Sequence, residues 1–82
     1  MKVIKRDGRI VEFDKEKVFL AIEKANKEVK GRQKATKDEV KSIIAYIEDL
    51  DKKRILVEDI QDIIEQKLME FDKYELAKKY IV

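Results

Sequence analysis

The chain has 82 residues with no Cys, no His, a single Ser at 42 and a single Thr at 36, and charged residues make up 46% of it for a net charge of only +2. Disulfides, thiolate nucleophiles, cysteine-based zinc sites and Ser-His triads are excluded by those absences, and the commonest general base is missing too. A free-standing enzyme is not expected, and the length fits one small domain, residues 1–82.

Taken in chain order, the first signal is Asp7-Gly8 between Val3-Ile4-Lys5 and Arg9–Phe13. Asp-Gly between short alternating runs predicts a β-hairpin over residues 2–13, because Gly tolerates the positive φ that such turns need. An isolated hairpin is marginal in water, so one face should pack on helices. Asp14 stands where the N-cap of a first helix belongs, and Val18, Ile22, Ala25 and Val29 follow at helical spacing, predicting a helix over about 15–30 with Gly31 as its stop. Thr36-x-x-Glu39 is a capping-box pattern. It opens a second helix, about 37–52, with the stripe Val40, Ile43, Ile44, Ile47 and Leu50. Ile55-Leu56-Val57 reads as an extended apolar link. A third helix, about 58–70, carries Ile60, Ile63, Ile64 and Leu68, and Asp72-x-x-Glu75 restarts a fourth over 73–82. The expected fold class is α+β: a small N-terminal β-hairpin lid packed on a four-helix bundle.

No apolar run approaches a membrane span and no signal-peptide core is present, so a cytoplasmic setting and no membrane partner are expected. Balanced charge makes nucleic acid an improbable partner, since duplex phosphates need a broad basic face. With only Gly8 and Gly31 present, neither a Walker loop nor a dinucleotide fingerprint can form.

The remaining candidates have two readings each. Lys5, Arg6 and Arg9 form either a basic surface that discourages edge pairing or a phosphate site, Arg offering a bidentate fork and Lys a point charge. Alternation along an ideal strand would send Lys5 and Arg6 to opposite faces, so they converge only if the turn twists the strand end. Lys17 is a solvated lysine or a cation that joins the first helix's N–H groups around an anion, which would relieve its conflict with the macrodipole. Glu58, Asp59, Asp62 and Glu65 either suit a helix start or offer oxygens to a hard cation, though no EF-hand spacing exists. Gln61 is a solvated amide or a partner for a base or sugar. Tyr46, Tyr74 and Tyr80 are core-edge aromatics or stacking platforms.

Val3-x-Lys5-Arg6-Asp7-Gly8 followed by Phe13-Asp14-x-x-Lys17 resembles the opening of the ATP-cone domain, and Val57-x-x-Ile60-Gln61, Leu68 and Ala77-x-x-Tyr80-Ile81 look like its second half in the right order. The resemblance implies a β lid over a four-helix bundle and a non-catalytic allosteric domain. Such a domain binds ATP or dATP, with Mg2+ as companion, and regulates the activity or oligomeric state of a host, here a ribonucleotide reductase. Its partners would be the adenine nucleotide and host or other cone domains. By motif position Val3 would help form the adenosine pocket, and Lys5, Arg6 and Lys17 would hold phosphates. Asp14 would contact the nucleoside, and Val57 and Gln61 would line base and sugar. Val11 stands where relatives often carry an adenine-binding glutamate, leaving only backbone groups there. The chain stops before the Tyr-Arg with which relatives close, which implies an excised terminus of a reductase. The alternative is a helical protein–protein interaction module whose basic hairpin is only a surface.

Overall fold

The computed structural model describes residues 1–81. Its elements are β1 (Lys2–Ile4), β2 (Ile10–Glu12), α1 (Lys15–Asn26), a 3-10 turn at Gly31–Gln33, α2 (Lys37–Glu48), β3 (Arg54–Leu56), α3 (Val57–Glu70) and α4 (Tyr74–Ile81). The class is α+β, with four helices and one small sheet.

The sheet has three strands in the order β2-β1-β3, where the sequence led us to expect a two-stranded hairpin. β1 pairs antiparallel with β2 (Val3 opposite Val11) and parallel with β3 (Val3 opposite Ile55). The expected apolar link is thus the end of strand β3, Ile55 and Leu56, which runs straight into α3 at Val57. Period-two alternation puts Val3, Val11 and Ile55 on one face, and Val3 and Ile55 are buried in the core. The opposite face carries the row Ile4, Ile10 and Leu56, with Ile10 and Leu56 exposed.

The helices contact one another as a ring: α1 with α2, α2 with α3, α3 with α4 and α4 with α1. Ile22, Ile43, Ile47, Ile64, Leu68 and Leu76 are fully buried at its centre. Each such side chain contributes about 1.5–3 kcal/mol of transfer free energy. The capping box at the start of α2 is made, with Glu39 N donating to Thr36 Oγ1 (3.1 Å) and Thr36 N to Glu39 Oε1 (2.8 Å).

α1 ends at Asn26, short of the expected Lys30. The cause is Asn26 itself. Its buried amide donates to Ala35 O (3.0 Å) and accepts from Ala35 N (2.9 Å), drawing the chain back across the helix end. Val29 still reaches the core, but from a turn, which is why its helical spacing misled. The second helix likewise stops at Glu48. The expected Asp72 cap is also revised. α3 closes in a Schellman arrangement, with Lys73 N donating to Leu68 O (2.8 Å) and Asp72 N to Met69 O (2.9 Å), and with Asp72 at φ +61. α4 begins at Tyr74, and its Glu75 N is capped from a distance by Gln33 Oε1 (2.8 Å). The expected extent of this helix to Val82 falls outside the described residues at its last position.

Candidate functional site

The turn after β1 is the local feature that builds the site. Gly8 N donates to Lys5 O (3.0 Å) and Lys5 N to Arg9 O (2.8 Å), with Gly8 at φ +87. This is a β-turn closed by a left-handed glycine, a common three-residue hairpin connection. Asp7 fixes it further, accepting from Arg9 N (3.1 Å) and Arg9 Nε (2.7 Å). Lys5 and Arg6 therefore lie beyond the last strand residue, Ile4, and strand alternation no longer separates them.

Two adjoining hollows open beside this turn. The first, about 240 Å³, lies among β1, β2, the starts of α1 and α3, and α4, and includes Val3, Lys5, Asp14, Lys17, Val57 and Gln61 in its lining. Six of the seven residues singled out from the sequence thus meet in one cleft. The seventh, Arg6, lines the second hollow, about 300 Å³, with Lys5, Asp7, Arg9, Val57 and Gln61. Lys5, Val57 and Gln61 are common to both and form the wall between them.

Each element sets its residue in place for a local reason. Val3 faces inward by strand register. Asp14 caps α1, its Oδ1 accepting from Glu16 N (3.0 Å), while Lys17 N donates to Asp14 O (3.1 Å). Two early amides of α1, those of Glu16 and Lys17, are thus engaged within the chain. The start of α3 differs: its N-cap is Leu56, and no side chain caps it. Val57 is the first residue of α3, and Gln61 lies one turn on. Arg6 reaches over this turn, Nη2 donating to Gln61 Oε1 (3.0 Å) and Nε facing Glu58 Oε1 (3.4 Å).

Of the remaining cleft walls, the sequence marks only Val11, at the base position, and Tyr80, as one of three possible stacking aromatics. Val11, Glu12, Phe13, Val18, Ala21, Ile60 and Tyr80 also line it. Val18 and Ile60 belong to stripes read as core, and no local signal separates a cleft wall from a core wall. Tyr80 read as a core-edge aromatic or a stacking platform. It comes to the cleft from α4, and burial raises its phenol pKa above the ordinary value, keeping it a neutral hydroxyl. Glu12 is held below the usual carboxylate range, chiefly by its hydrogen bond from Lys2 and then by the charge of Lys2. Apolar walls (Val3, Val18, Val57, Ile60) beside a cationic mouth (Lys5, Arg6, Arg9, Lys17) suit a ligand with one flat apolar part and one polyanionic part.

A family model described as the ATP cone domain matches residues 1–82. The vitamin B12-dependent ribonucleoside-diphosphate reductase of Thermoplasma acidophilum is 42% identical over 69 residues, covering 83% of this chain and 9% of the relative. The ribonucleoside-diphosphate reductase subunit alpha of Chlamydia trachomatis is 34% identical over 93 residues, covering 100% of this chain and 9% of the relative. The same subunit of Chlamydia muridarum is 37% identical over 93 residues, again covering 100% of this chain and 9% of the relative. The chain spans under a tenth of the length of these curated relatives. By a match that runs over its whole length, it belongs to the ATP cone domain family.

Proposed function

We propose that this chain is a single non-catalytic regulatory domain that binds ATP or dATP in the cleft and passes its occupancy to a host ribonucleotide reductase in the cytoplasm, altering the host's activity or oligomeric state. The sheet serves as a lid over the helical ring. Val3 and Val57 flank the adenosine, and Asp14 and Gln61 give polar contacts to the nucleoside. Lys5, Arg6 and Lys17 take the phosphates, which run from the first hollow into the second. Val11 offers only its backbone to the base.

The observation that carries this reading is convergence. Residues as distant in sequence as Val3, Lys17 and Gln61 line one cleft, and the two hollows share the wall formed by Lys5, Val57 and Gln61. Ligand sites commonly run to about 300–1,000 Å³. Either hollow alone lies at or below that floor, while the two together suit a nucleoside with a phosphate tail. Among the described residues no three metal-ligating side chains cluster. Any Mg2+ that accompanies the nucleotide would be held by phosphate oxygens and water.

Isothermal titration with ATP, dATP and GTP tests the reading. Adenine nucleotides should bind at least tenfold tighter than millimolar, and Arg6→Ala with Lys17→Ala should weaken ATP by at least roughly 100-fold, since each charge-assisted bond is worth about 1.5–3 kcal/mol. AMP should change least. Adenine nucleotide binding no tighter than millimolar and indifferent to the double substitution would sink it. The reading as a protein-interaction module draws on a different feature, the exposed Ile10 and Leu56 beside Ile4 on the outer sheet face. Under it, nucleotide would leave the amide shifts of residues 3–17 unmoved. Both readings allow host or second-cone partners on that face.

A further inference from the structure

The Arg6 guanidinium has two partners, and both stand on α3. Nε faces Glu58 Oε1 at 3.4 Å and Nη2 donates to Gln61 Oε1 at 3.0 Å. Nε and Nη2 are the two donors along one edge of the planar fork, an edge that can take a phosphate in bidentate fashion. Gln61 therefore takes one donor of that edge, and Glu58 pairs in charge with the other, where a phosphate would compete with both.

We propose that Glu58 is a competing counter-ion for Arg6, displaced by the terminal phosphates of the ligand, so that Glu58 sets how many phosphates a ligand must carry to seat firmly. The inference rests on the nucleotide reading of the cleft and deepens it. Arg6 belongs to the second hollow and not to the first, so a ligand must extend past the wall of Lys5, Val57 and Gln61 to reach it. A monophosphate ends before that wall and leaves the ion pair intact. A triphosphate passes it and, even with Mg2+ on its oxygens, presents more negative charge than the single charge of a carboxylate to Arg6 with Lys5 and Arg9 nearby. The exchange is feasible because the pair is exposed, with side-chain accessibilities of 69% for Arg6 and 54% for Glu58. Exposed pairs are worth little, so they are readily broken. Gln61 loses Arg6 in the same step, which releases its amide toward the first hollow. Glu58 is therefore a positioning residue, acting on the ligand through Arg6.

The test is a titration cycle on the 82-residue chain: wild type, Glu58→Gln, Arg6→Ala and the double substitution, each with ATP, ADP and AMP. Glu58→Gln should tighten ATP by about three- to tenfold, ADP by less, and AMP by under about twofold, the scale of an exposed ion pair plus one removed repulsion. In the Arg6→Ala background the ATP gain should fall below about twofold, and raised salt should shrink it in the Arg6 chain. A thermal melt of Glu58→Gln unchanged from wild type separates this from altered folding. Equal or weaker ATP binding by Glu58→Gln overturns the proposal while leaving the nucleotide reading standing. A gain that persists without Arg6, or one equal for AMP and ATP, also overturns it. Failure of wild type and Glu58→Gln alike to bind ATP overturns the nucleotide reading and this proposal with it.

Discussion

Two polar clusters in this domain are built on different bonding rules. Around the ends of α1, α3 and α4, side chains bond mostly to main chain, the Tyr74 hydroxyl on Asp72 Oδ1 and the Lys73–Glu39 pair excepted. Asn26 bonds Ala35 in both directions, Gln33 reaches Asp72 O and Glu75 N, Lys34 Nζ donates to Asn26 O, and Lys73 Nζ donates to Arg32 O. Around the hairpin turn, the charged heads bond mostly to each other: Arg6 to Gln61 and Glu58, Arg9 to Asp7, and Lys2 to Glu12. Main-chain partners cannot leave without unfolding something, so the first cluster fixes geometry. Side-chain partners on an exposed surface can be exchanged for a ligand at small cost. One region supplies rigidity, and the other supplies replaceable contacts.

Breaking the first cluster should have the largest effect on stability. Asn26→Ala leaves the N–H and C=O of buried Ala35 without partners and should cost about 2–4 kcal/mol in urea unfolding. Next, Arg6→Ala with Lys17→Ala should change unfolding free energy by no more than about 0.5 kcal/mol, because both are surface side chains away from the core. The same pair should carry the large loss of ATP affinity, and a stability loss of several kcal/mol would erase the contrast between the regions. Gln33→Ala removes the remote cap of α4 and should cost about 1 kcal/mol by the same unfolding measurement. The smallest effect concerns Glu12. Its lowered pKa contributes stability that is present above the ordinary carboxylate range and lost as pH falls through the lowered value. Lys2→Gln should return the Glu12 titration, followed by carboxyl-carbon NMR, toward the ordinary value with little change in folding.

The fold was legible wherever a local pattern had a local cause. The Asp-Gly turn, the Asp14 cap, the Thr36–Glu39 box and the stripe of α2 all form as their spacing dictates. What escaped was long-range. β3 is three residues with no period of its own, and its pairing to β1 is decided by register across the molecule. The stop of α1 is written in a bond between Asn26 and Ala35, and the cap of α4 comes from Gln33, neither of which any short window contains. The candidate site divides the same way. Lys5, Arg6 and Arg9 stood out because they crowd one Asp-Gly turn, and Lys17 because a cation near a helix start conflicts with the helix dipole. Val3 and Val57 were reached only through the family resemblance, and Val18 and Ile60 did not stand out, since cleft-lining and core-lining side chains have the same chemistry.

The central claim is that the replaceable cluster, and not the fixed one, receives an adenine nucleotide. Titrating ATP into the isotope-labelled chain while following backbone and side-chain amides tests it most directly. The account predicts saturable shifts at Val3, Lys5, Arg6, Lys17, Val57 and the Gln61 amide, with Asn26, Gln33 and Ala35 unmoved. Shifts confined to the α1–α4 ends, or none at all with ATP in millimolar excess, would contradict it.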